Sequence, residues 1–143
     1  MEERKQCSDA TCMAPALLRW AVGLMFLVAG LSKLPKLGGF VNGYLVPAFE
    51  DTVLPGGLVA AYGYVLPFLE LILGILLILG ICRTLALLLT GLTLLSLAFG
   101  QQLLQEHGTV ANIFLYILMV AAALYMGDQD RWTLGACRRN AKE

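Results

Sequence analysis

Apolar residues along the chain fall into four blocks of about twenty, and most of the charged residues, glycines and prolines lie outside them. The blocks cover about 14–34, 58–79, 84–104 and 110–126. About twenty apolar residues is the length an α-helix needs to cross roughly 30 Å of hydrocarbon. Lipid offers no partner to backbone N–H and C=O groups, so spanning segments are helices or closed barrels. The alternating pattern of membrane strands is missing, and the blocks predict an all-α bundle of four transmembrane helices. A soluble bundle would need polar helix faces, and ELILGILLILG and LALLLTGLTLLSLAFG have none. The short connections GICRT and QQLLQEHGTV make sequence neighbours antiparallel. The expected organisation is a tail over 1–13, a membrane domain over 14–127 and a second tail over 128–143.

The longest connection, PKLGGFVNGYLVPAFEDTVLPGG, carries Phe40, Tyr44 and Phe49. Such rings suit the headgroup level of the membrane. The apolar run after MEERK is longer than the roughly 7–15 residues of a cleaved leader, so the first helix is expected to stay. The two halves show no inverted repeat, and the only candidate for a broken helix is the second, at Pro67.

Placing the blocks on helices exposes two stripes. Arg19, Gly23, Phe26, Gly30 and Lys33 are spaced four, three, four and three, which keeps them on one face. Small residues let a neighbouring backbone approach, so this face is read as inward. Arg19 and Lys33 stand at its two ends, about 21 Å apart along the axis. The second span repeats the spacing with Gly63, Pro67, Glu70, Gly74 and Leu77. Glu70 is the one acid deep in any block. Intramembrane charge is costly and usually faces the bundle interior with a partner. Lys33 and Arg19 are both candidates, and spacing does not choose between them. In the fourth span, Asn112 lies near the end that also holds Lys33, and Tyr116 lies one turn deeper, within possible reach of Glu70 or a bound carbonyl. Each of these residues has a plain alternative: an ion pair that only locks helices, or an Asn and a Tyr anchored at the interface.

Composition sharpens the class. The 143 residues are 59% hydrophobic and 14% charged, with mean hydropathy +0.76, against about half apolar and a quarter charged in soluble domains. Ten Lys+Arg balance ten Asp+Glu, so net charge says little and its distribution says more. With four spans, Arg4, Lys5, Arg19, Arg83, Arg131, Arg138, Arg139 and Lys142 share one side, and only Lys33 and Lys36 lie on the other. Lys and Arg mark the inner side. Both termini are therefore expected in the cytoplasm and the protein in the inner membrane. The bilayer is the expected environment, with a redox protein or a second copy as partner and no nucleic acid.

That orientation puts Cys7, Cys12, Cys82 and Cys137 toward a reducing compartment, where disulfides are rare. No CxxC exists, and free thiols are expected. The sharper alternative is a cluster of Cys7, Cys12 and Cys137 serving a redox partner. The single histidine, His107, cannot supply the two axial ligands of a bis-His haem, and no metal-ligand constellation is visible. Redox chemistry, if present, must come from a quinone, a cofactor or a partner.

RWAVGLMFLVAGLSKL, GGFVNGYLVP and YVLPFLELILGILLILGICR resemble the DoxX/MauE group of small four-helix membrane proteins, over about 19–100. The resemblance rests on an Arg, spaced glycines and a Lys on the first helix, followed by Pro-x-x-Glu-x-x-x-Gly on the second. It implies association with redox systems: one branch resembles the small subunit of a thiosulfate:quinone oxidoreductase, and the MauE branch is implicated in maturing the disulfide-rich methylamine dehydrogenase. Arg19, Lys33, Pro67 and Glu70 are the positions that carry over.

The sequence thus predicts a redox-associated membrane subunit. A quinone or partner would sit between the first, second and fourth helices, with Glu70 handling a proton and Arg19 and Lys33 balancing its charge. The alternatives are a non-enzymatic scaffold, and a small proton or anion permease with Lys33 and Asn112 at its outer mouth.

Overall fold

The computed structural model describes residues 9–130 and 132–134. Cys7, Cys137 and the cations at 4, 5, 131, 138, 139 and 142 lie outside the described residues. The elements are α1 (Asp9–Lys33), α2 (Leu37–Phe40), α3 (Val46–Ala48), α4 (Gly56–Leu79), α5 (Arg83–Leu103) and α6 (His107–Tyr125), with no strand among the described residues. Among the described residues, four helical segments are long and apolar enough to cross a membrane: Thr11–Ala48, Gly56–Leu79, Arg83–Leu103 and His107–Tyr125. Leu17, Leu24, Val65, Phe68, Ile72, Leu92, Phe99 and Leu118 are exposed, an apolar exterior suited to lipid rather than water. The architecture is an all-α four-helix membrane bundle with antiparallel neighbours.

α1 and α4 pack closest. A Cβ on Gly30 would come within 2.8 Å of the Pro67 carbonyl oxygen, and one on Gly74 within 2.7 Å of the Leu27 nitrogen. Glycines let the two backbones touch there. Gly23 faces Leu77 and the Gly74 carbonyl oxygen, so the contact line runs antiparallel. Gly63 instead receives the connection, against Val41 and Leu45. α5 pairs with α6, and α1 closes against α6, whereas α4 and α5 meet less closely. Val22, Phe26, Leu73, Leu77, Leu87, Leu94, Ile113 and Val120 from all four spanning helices form the main core.

The structure departs from the sequence expectations in three places. α4 runs unbroken through Pro67; the proline costs one backbone hydrogen bond, and close packing on α1 holds the helix together. The connection folds as helical turns, with a π-turn over Val41–Leu45 between α2 and α3, and Leu45, Phe49 and Val59 form a second small core. α1 begins at Asp9, so Cys12 lies in a helix and not in a tail. Cys12 is buried on the α1 stripe and disulfide-bonded. The expectation of free thiols therefore fails at Cys12.

Candidate functional site

α1 ends at Lys33, and Pro35 opens the next turn. That ending places the lysine at the mouth of the α1/α4 contact. Its side chain runs down the stripe to Glu70, and Nζ donates to both carboxylate oxygens at 2.7 Å. Glu70 is 3% exposed. The Lys33 side chain keeps 23% of its surface, and its Nζ lies 5.5 Å from the centre of the Phe40 ring, a cation–π contact. An ammonium carries three donors, so two bonds to Glu70 leave one for another acceptor.

That remaining donor matters because Lys33 lines a cavity of about 430 Å³, within the size range of small-molecule sites. The cavity occupies the loose α4/α5 seam and is roofed by the connection. Phe40, Tyr44 and Phe49 come from the roof, Tyr62 from α4 and Ser96 from α5, and the walls are otherwise largely apolar. Phe49 also closes on Gly100 of α5, where a Cβ would meet the ring at 3.3 Å. The polar residues of the lining are few: Lys33, Tyr44, Gln101, and a hydroxyl pair in which the Tyr62 and Ser96 oxygens stand 2.6 Å apart.

The cavity therefore lies beside α4 and α5, not between α1, α4 and α6 as the stripes suggested. Asn112 is exposed on α6, because the inward face of that helix is set by Val110, Ile113, Val120 and Ala123. Tyr116 packs its ring on the main core. Neither lines the cavity or bonds Glu70.

Arg19 is not a partner of Glu70 at all. It is fully buried at the other end of the bundle and donates through Nε to Asp130 at 3.0 Å. Its two terminal nitrogens donate to the carbonyls of Leu77, Ile78 and Trp132. Asp130 in turn accepts from the Trp132 N–H at 3.1 Å. A helix leaves its last four carbonyls without intrahelical partners, and here all are met. Leu76 accepts from Gly80 and Ile81, Leu77 and Ile78 from Arg19, and Leu79 from Leu134. Trp20 Nε1 adds a second donor to Ile78. Arg19 is thus a buried cap for α4, also favoured by the helix dipole. Its carboxylate, Asp130, lies in a segment that the sequence assigned to a tail, and no span periodicity marks it. Tyr62 was missed as well, since it is a single hydroxyl on an otherwise apolar face.

The family model described as Methylamine utilisation protein MauE matches residues 11–130. No curated protein and no solved structure matches the chain. The match runs from the first turns of α1 to Asp130 and includes both ion pairs, Lys33–Glu70 and Arg19–Asp130; this four-helix membrane protein belongs to the MauE family.

Proposed function

We propose that this MauE-family protein is a redox-associated inner-membrane subunit that holds a membrane quinone in the Lys33 cavity and supports the thiol chemistry or maturation of a partner redox protein. The carrying observation is a cation with a spare donor at the edge of an apolar cavity. A quinone has an apolar tail and ring with carbonyl acceptors, and this lining suits it. Glu70 fixes the ammonium and is the nearest store for a proton. Its test is extraction of lipid from the purified protein. Quinone is expected in the extract, and Glu70→Gln is expected to reduce it. Unchanged quinone content together with a lowered melting temperature would instead favour a scaffold whose charges only lock α1 on α4.

The Cys12 disulfide favours the thiol side of this reading. Disulfides in reducing compartments are usually transient and catalytic or redox-sensing. With the termini in the cytoplasm, Cys12 would be of that kind. Rapid acid quenching of cells followed by thiol labelling is expected to find both reduced and oxidised Cys12. A population fixed in the oxidised form would remove this reading.

A further inference from the structure

We propose that the Tyr62–Ser96 hydroxyl pair is a hydrogen-bonding station in the cavity that serves both a ligand carbonyl and the hydroxyl it becomes on reduction. The inference rests on the quinone reading above and names how the second oxygen of the ring would be held. Lys33 holds the first.

The proton count leads to it. Ser96 Oγ donates to the Thr93 carbonyl at 2.7 Å and stands 2.6 Å from the Tyr62 hydroxyl. A serine has one proton and two lone pairs, and a tyrosine hydroxyl can donate and accept. While Ser96 donates to Thr93, the proton between the two hydroxyls must come from Tyr62. The Tyr62 oxygen then keeps a lone pair for a ligand O–H. If Ser96 turns its proton onto Tyr62, the Tyr62 proton is released to a ligand C=O. Rotating two hydroxyls exchanges one state for the other, with no movement of backbone or ring. The Thr93 carbonyl lies inside α5, so it keeps its helical partner when Ser96 turns away. Both residues line the cavity. Their placement across the loose α4/α5 seam leaves them open to a ligand: Tyr62 is 38% exposed.

A purely structural bridge between α4 and α5 would not distinguish the two forms of a ligand, and that separates the readings. The experiment uses the full chain in lipid nanodiscs, with decylubiquinone and its anaerobically kept quinol as probes. Tyr62→Phe is expected to weaken both forms, roughly three- to tenfold, the effect of one hydrogen bond. Ser96→Ala is expected to weaken the quinol by a similar factor and to leave the quinone equal or tighter. The alanine removes the acceptor that Tyr62 needs while it receives a quinol proton, and it frees the Tyr62 proton for a carbonyl. Unchanged binding of both forms in Tyr62→Phe overturns the proposal, as do equal changes of the two forms in Ser96→Ala. The infrared carbonyl bands of quinone bound to the wild type give a check without substitution. Both bands should be lowered by donors, and one unshifted band overturns the station. Failure of the wild type to bind either probe would sink the quinone reading itself, and the station with it.

Discussion

Arg19 and Asp130 form the driest ion pair described, with side-chain exposures of 0% and 1%. Burying both charges is costly, but removing one partner is worse, because the other stays uncompensated in low dielectric. Asp130→Ala is therefore expected to destabilise the fold by about 3–5 kcal/mol, read as the midpoint of unfolding in a detergent titration. Arg19→Met in the same background removes the uncompensated charge but also takes the donor from the Leu77 and Trp132 carbonyls, so stability is not expected to return to that of the parent. The Lys33–Glu70 pair meets the cavity through Lys33, whose side chain is 23% exposed, and its loss should be milder. The two pairs differ in how far the sequence revealed them. Lys33 and Glu70 stand on stripes whose spacing aims them at each other, and only the choice between two cations stayed open. Asp130 lies in GDQD, a polar run beyond the last span. Its burial arises from a chain reversal after α6 that no periodicity encodes.

At the scale of elements, glycine position decides how α1 and α4 meet. Gly30→Val is expected to push α1 away from Pro67, where even a Cβ would sit at 2.8 Å. It should lower the unfolding midpoint and pull Lys33 off Glu70. Gly39→Ala is the control, because a Cβ there meets nothing within 4 Å; its effect should stay within about 0.5 kcal/mol. The same thermal or detergent titration reads both variants. The four spans were legible from block length alone. The roof was not legible. PKLGGFVNGYLVP has glycines and prolines that break any simple period. It becomes a π-turn and short helices only when Val41, Leu45 and Phe49 find the surfaces offered by Gly63 and Gly100. The cavity follows from that roof, which is why the stripes pointed to the wrong seam.

At the scale of the molecule, the two ends differ in character. One end holds the Arg19 clasp, the Cys12 disulfide and Arg83 beside Gly127. The other holds the cavity, its aromatic roof and Lys33. The Lys and Arg bias of the sequence is the ground for expecting the first end in the cytoplasm. Glu106, exposed between α5 and α6, gives a reporter for this. Glu106→Cys should react with a membrane-impermeant maleimide in intact cells. Labelling only after the cells are opened would invert the topology. The cavity would then face the cytoplasm, and the Cys12 disulfide would face an oxidising compartment, where a stable bridge is ordinary.

The Lys33–Glu70 pair also bears on how the chain is made. Its members lie on consecutive spans, and α1 leaves the ribosome before α4. Lys33, at the end of α1, can stretch toward the headgroups while it waits. Glu70 has no such refuge, and a lone charge at a helix centre costs about 2.5–3.5 kcal/mol on insertion scales. α4 therefore enters lipid most easily with α1 still alongside and the ammonium within reach. The ion pair thus gives α1 and α4 a reason to enter lipid together, and the order of synthesis bears on how an acid comes to rest inside this membrane protein.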